Sequence, residues 1–160
     1  MTGPVFADTN VLVYDRDRRD LPKHERAQAW MSALWQYPGL GVVSSQVLTE
    51  FYWTVTRKLH PGLDDEAARR YVRTLPAWEF VTVDQTAITD AWLVQDRFGF
   101  SFRDSLVVAT ARIGRCRVLL TEDLQDGQDL DGLLVVNPFA HSPDDWTQRA
   151  RAASAQNVSR

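Results

Sequence analysis

Four acidic residues stand where apolar runs end or helices begin, and carboxylates so placed are the groups that hold a hard divalent cation. Asp8 follows the apolar run Val5-Phe6-Ala7 directly. Glu50 lies within Leu48-Thr49-Glu50-Phe51-Tyr52-Trp53, an acid among large apolar residues that must face solvent, pair with a cation or bind metal. Asp104 comes three positions after Ser101, a capping-box spacing with Asp in place of Glu. Asp123 leaves a fourth apolar run as Thr121-Glu122-Asp123. Taken singly, each has an ordinary reading: Asp8 and Asp104 as caps, Glu50 as a solvent-facing acid, Asp123 as a turn residue. Taken together they point to a site. Clustered carboxylates repel one another unless cations sit among them. Oxygen donors without cysteine or a histidine pair favour magnesium or manganese over zinc. An ion of that kind can activate a bound water as a nucleophile.

The elements that must position these acids follow from the spacing of apolar residues. Val5–Ala7 predicts a strand handing over to a helix N-terminus at Asp8-Thr9-Asn10. Residues 15–22 are polar and arginine-rich and read as a loop. Ala27, Trp30, Met31, Leu34 and Trp35 predict a helix over 24–37, stopped by Pro38-Gly39. A strand over 41–44 is followed by a helix capped by Ser45 and carrying Glu50, then by a helix that Asp64 caps and Pro76 closes. A strand over 80–83, helices over 85–98 and from Ser101 to Gly114, and strands over 117–121 and 132–137 complete the pattern. Short continuous apolar strands alternating with helices predict a three-layer α/β/α domain, with a central parallel sheet of about five strands. In such a fold ligands gather at the carboxyl ends of the strands, where strand order reverses. The first and fourth strands would flank that point, with Asp8 and Asp123 facing each other across it. The domain is expected over residues 1–139, with residues 140–160 a polar, mobile C-terminal tail.

Composition excludes more than it assigns. A length of 160 residues suits one domain. No apolar run approaches the roughly 20 residues of a membrane helix, and the N-terminus lacks the pattern of a signal peptide, so a cytoplasmic protein is expected. The single cysteine, Cys116, beside an apolar run, reads as a buried inert thiol. A net charge of −3 argues against binding a polyanion by charge alone, so any nucleic-acid chemistry must rest on a metal-bearing site. His24, His60 and His141 are scattered, which disfavours histidine acid–base cleavage to a cyclic phosphate.

In order along the chain, Asp8-Thr9-Asn10, the segment from Ser45 to Glu50, Phe102-Arg103-Asp104-Ser105 with Ala109 and Ala111, and Thr121-Glu122-Asp123 resemble the PIN domains, most of all the VapC-type toxins of toxin–antitoxin modules. The resemblance runs from Val5 to Phe139. It implies a Rossmann-like sheet, a magnesium- or manganese-dependent endoribonuclease, a homodimer and a small antitoxin that blocks the site. Carried over by position, Asp8, Glu50, Asp104 and Asp123 are the catalytic, metal-holding acids, with Thr9, Asn10 and Thr121 as orienting neighbours. After the fourth run the sequence departs from the family, with Leu124-Gln125-Asp126-Gly127 where relatives show an acidic-aromatic segment. Asp126 is therefore an alternative fourth acid.

Hydrolysis by metal-activated water would leave a 5′-phosphate and a 3′-hydroxyl. Arg16, Arg18, Arg19 and Arg103 are candidates for holding the RNA backbone, although Arg16 to Arg19 read equally as a solvated loop. A haloacid-dehalogenase or receiver site fits less well: Asn10 stands where the former needs a second aspartate, and no lysine follows Lys58. There is no glycine-rich phosphate loop. The competing class is a PIN-like scaffold that binds RNA or a partner without cutting. Trp53, Trp78 and Trp92 could serve a dimer interface or the core.

Overall fold

The structure, a computed structural model, describes residues 3–147. Its sheet is built from β1 (Val5–Ala7), β2 (Gly41–Ser44), β3 (Glu79–Val81), β4 (Val118–Leu120), β5 (Asp129–Leu130) and β6 (Leu133–Val136), in the order β3-β2-β1-β4-β6-β5. Every pairing is parallel except β5 with β6. All residues of β1, β2 and β4 are buried, which requires both faces of the sheet to be covered. The helices that cover it are α1 (Thr9–Arg16), α2 (Leu21–Gln36), α3 (Ser45–Trp53), α4 (Asp65–Thr74), α5 (Gln85–Phe98) and α6 (Phe102–Ile113). The α/β fold with a mostly parallel sheet is as the alternating pattern predicts.

The sixth strand is the difference. β5 is two residues long and gives no periodic signal. It is paired by a two-residue turn in which Asp131 and Gly132 both take positive φ, 56° and 98°, so that Leu130 opposes Leu133. Asp-Gly is the dipeptide that tolerates this turn, and it was the available clue to an antiparallel edge strand. The loop expected over 15–22 shrinks to Asp17–Asp20. α1 runs on to Arg16, and α2 begins at Leu21 because the Asp20 side chain accepts from the Lys23 amide at 3.2 Å and Pro22 sits in the first turn, where its missing N–H costs nothing. The cap of α3 is Ser44 and not Ser45. Ser44 Oγ accepts from the Val47 amide at 3.3 Å, whereas Ser45 Oγ accepts from the Val83 amide at 2.9 Å and ties α3 to the end of β3.

Caps of the Asp and Ser type set the starts of the other helices: Asp64 on Ala67, Asp84 on Ala87, and Ser101 on Asp104. Phe6, Trp30, Phe51 and Leu119 are among the largest fully buried side chains, each worth about 1.5–3 kcal/mol of burial. Gly41 admits the Trp78 ring so closely that a Cβ there would lie 2.5 Å from Cδ2. Of the three tryptophans considered for an interface, Trp78 is buried, and Trp53 and Trp92 are exposed. Trp30 Nε1 donates to the carbonyls of Pro138 and His141 at 3.1 and 2.9 Å. Beyond residue 139 the chain is helical over 143–147 and Trp146 packs against the core. Of the mobile tail expected over 140–160, residues 148–160 lie outside the described residues.

Candidate functional site

The reversal of strand order falls between β1 and β4, and the residues that directly follow these two strands lie at the sheet's carboxyl edge. Asp8 is the N-cap of α1. Its Oδ1 accepts from the Thr9 amide at 2.7 Å and its backbone N–H continues the ladder to Leu120 O at 3.0 Å. Only 1% of Asp8 is exposed. Its Oδ2 accepts from the Thr121 hydroxyl at 2.8 Å, and Thr121 Oγ1 in turn accepts from the Asp123 amide at 3.1 Å. One threonine thus fixes the two acids that flank the reversal point.

Glu50 reaches the same place from α3. Thr9 Oγ1 donates to its Oε2 at 2.8 Å, and Gln46 Nε2, one turn earlier on the helix, donates to its Oε1 at 3.2 Å. Asp104 enters from the first turn of α6, and Asp123 from the loop after β4, where Asn10 Nδ2 lies 3.4 Å from both its oxygens. The structure therefore brings Asp8, Glu50, Asp104 and Asp123 together, with Thr9, Asn10 and Thr121 hydrogen-bonded to them. Asp126 is elsewhere: it accepts from the Asn137 amide at 2.8 Å and pairs with His141 Nε2 at 2.6 Å.

Arg103 lies among the four acids. Its guanidinium contacts Asp8, Glu50, Asp104 and Asp123, with closest N···O distances of 3.0, 2.7, 3.1 and 3.2 Å. The contacts are numerous because Arg103 precedes Asp104 on α6 and its planar fork can address several oxygens at once. At formal charges, four carboxylates against one guanidinium leave the cluster strongly negative. Burial pushes the Asp123 carboxyl up and the charge of Asp8 adds to it, and Arg103 offsets only part of this. Burial also acts upward on Glu50, but hydrogen bonds from Arg103 and Thr9 outweigh it and hold Glu50 below its ordinary value. Burial opposes the charge on Arg103, but bonding to Glu50 and the field of Asp8 overcome it and its pKa rises.

The donor set suits magnesium or manganese: hard oxygens only, a negative cluster, and a cation already drawn into its centre. Among the described residues no three acids form a ready-made metal cage, and the Arg103 guanidinium contacts each of the four. The other basic candidates lie apart in role. Arg16 stacks 5.8 Å over the Tyr71 ring, Arg19 is bidentate to Asp17, and together with Arg18 they line a groove of about 320 Å³ floored by Val55, Leu59 and Leu63. His24 Nδ1 contacts Tyr14 O at 2.7 Å, and none of the hydrogen bonds found among the described residues joins a histidine to the four acids. Burial pushes the Cys116 thiol up to about 12. Sequence reasoning missed Gln46, whose position four residues before Glu50 on one helix face was the signal. It also missed the central placement of Arg103.

A family model described as PIN domain matches residues 5–126. No curated protein sequence matches the chain. Among solved structures, a toxin–antitoxin complex from Klebsiella pneumoniae is similar at 20% identity and a TM-score of 0.59, covering 84% of this chain and 97% of that one. The Mycobacterium tuberculosis toxin VapC20, described as cleaving the sarcin–ricin loop, is similar at 22% identity and a TM-score of 0.58, over 74% of this chain and 91% of its own. A DNA-bound VapBC from Salmonella typhimurium is similar at 16% identity and a TM-score of 0.59, over 86% and 99%. At these identities the likeness is one of fold.

Proposed function

The chain belongs to the PIN domain family, and from that premise we propose that it is a magnesium- or manganese-dependent endoribonuclease, the toxin of a toxin–antitoxin pair. The observation that carries the reading is the convergence of Asp8, Glu50, Asp104 and Asp123, from four separate segments, on one point at the carboxyl edge of the sheet. The toxin–antitoxin complexes among the similar structures support an antitoxin partner, and the loop-cleaving toxin supports cleavage as the activity. A homodimer and a cytoplasmic location belong to the same proposal, and the exposed Trp53 and Trp92 offer apolar surface for the former.

In this reading Asp8, Glu50, Asp104 and Asp123 hold the ion. Bound there, a divalent ion would supply activation of water near neutral pH and offset of charge on the phosphate. The remaining work is done by the chain. Thr121 and the Thr9 amide keep both oxygens of Asp8 oriented, the Thr9 hydroxyl and Gln46 do the same for Glu50, and Asn10 steadies Asp123. Arg16, Arg18 and Arg19, on the segment after Asp8, hold the RNA backbone by phosphate contacts that carry no base preference.

Purified protein incubated with RNA and magnesium or manganese should cut it to products bearing a 5′-phosphate, and a chelator should abolish the cleavage. Asp8→Asn and Asp104→Asn should each lose about 100-fold or more, the rate equivalent of roughly 3 kcal/mol of transition-state stabilisation. Cleavage by either variant at the wild-type rate, or a cyclic-phosphate product, overturns the assignment. Acid-dependent manganese uptake without any cleavage would leave a binding-only module.

A further inference from the structure

One side chain ties together all four acids assigned to the metal. Arg103 Nη2 lies 2.7 Å from Glu50 Oε2 and 3.0 Å from Asp8 Oδ1, Nη1 lies 3.1 Å from Asp104 Oδ1 and 3.2 Å from Asp123 Oδ2, and Nε lies 3.3 Å from Glu50 Oε1. A guanidinium and a divalent ion cannot share that space. They repel, and they seek the same carboxylate lone pairs. The Arg103 head is attached through a flexible stem to the second residue of α6, and its side chain is 35% exposed, so a way out to solvent is open.

We propose that Arg103 is an exchangeable internal counter-ion: it gathers the four carboxylates before metal arrives, and the metal enters by displacing it. This rests on the metal-dependent reading above and adds to it an opposing role for one residue of the site. Two consequences follow from charge and linkage. Without Arg103 the four acids repel unscreened, so the metal-free protein loses stability. With Arg103 in place, the binding-competent arrangement is only a fraction of the population, and apparent metal affinity falls by that fraction.

The wild-type protein itself supplies the first test. A 15N spectrum of arginine side chains should show an Nε–H signal that is absent from Arg103→Gln, and magnesium should shift that signal and speed its exchange with solvent in step with binding. Calorimetric titration should show Arg103→Gln binding manganese about 10-fold or more tightly than wild type, with Arg103→Lys between them. Thermal melts should show Arg103→Gln less stable without metal and gaining more degrees on manganese addition. The proposal is overturned if magnesium binds the wild type at these acids, as judged by its loss in Asp8→Asn, while the Arg103 signal stays put. It is equally overturned if Arg103→Gln binds manganese no more tightly than wild type. In both cases RNA cleavage that survives would leave the nuclease reading standing. If neither protein takes up metal, that reading falls and the exchange falls with it.

Discussion

Thr121→Val removes one hydroxyl and keeps the shape of the side chain, so it isolates what the Thr121 hydroxyl does for the site. In the native protein that hydroxyl donates to Asp8 Oδ2 at 2.8 Å and accepts from the Asp123 amide at 3.1 Å, with both Thr121 and Asp8 only 1% exposed. A hydrogen bond to a charged group contributes about 1.5–3 kcal/mol and a neutral one about 0.5–1.5 kcal/mol. Two features reduce the loss. Arg103 Nη1 also reaches Asp8 Oδ2, at 3.4 Å, and water can reach the partly exposed Asp123 segment. The net cost is about 2–3 kcal/mol, which in a domain of this size is about 5–10 °C in Tm and leaves a protein of ordinary stability folded. Thr121→Ser keeps the hydroxyl and forfeits only a methyl, about 0.8 kcal/mol. Urea unfolding of the three proteins, with m-values compared, measures both numbers, and a double-mutant cycle with Asp8→Asn should return a coupling of about 1–2 kcal/mol. A Thr121→Val cost below about 0.5 kcal/mol, or one no greater than that of Thr121→Ser, refutes the claim that this hydroxyl joins the two acids.

Other outcomes follow from single contacts. The Asp15 carboxylate accepts from the Tyr71 hydroxyl at 2.8 Å, and burial raises its pKa against the opposing effects of that bond, Arg16 and His24. A raised folded-state pKa gives stability that is present below the unfolded value and lost as pH rises through the folded one. Asp15→Asn, which cannot ionise, should therefore gain on wild type in Tm as pH rises above the ordinary carboxylate value; a difference that is constant or shrinks with pH contradicts this. Cys116, with its thiol pushed up to about 12 by burial, should label with a thiol reagent at pH 8 about 1000-fold more slowly than an exposed cysteine and react fully once the chain unfolds. Labelling of the native protein at the rate of an exposed thiol contradicts the packing around it.

The strands at the centre of the sheet were legible because burial on both faces leaves an uninterrupted apolar run, as in Val5–Ala7 and Val118–Leu120. Helix starts were legible at Asp64 and Ser101, where the side chain that caps is the one just before the apolar periodicity begins. They were misread where two serines stood together, because the choice between Ser44 and Ser45 depends on the Val83 amide, a tertiary partner. Helical periodicity could not say which way Glu50 faces, since its partners Thr9 and Arg103 are 41 and 53 residues distant. The alternatives Asp123 and Asp126 separated only once the loop had a shape, with Asp126 turned to His141 and the Asn137 amide. Arg103 was open to reading as an RNA contact by its type. Its place among the acids is a matter of side-chain direction, which no local pattern contains.

The pairing of β1 with β4 has a bearing on synthesis. Val5 lies beside Val118, and Asp8 is held by Thr121, a partner 113 residues further along the chain. Closing so long a loop is slow compared with forming the local helices, and it cannot begin until the chain has been extended past β4. A growing polypeptide that already carries Asp8, Glu50 and Asp104 still lacks the strand that brings Asp123 opposite them. The proposed site is therefore complete only once β4 has been made, and a shorter intermediate of translation would lack it.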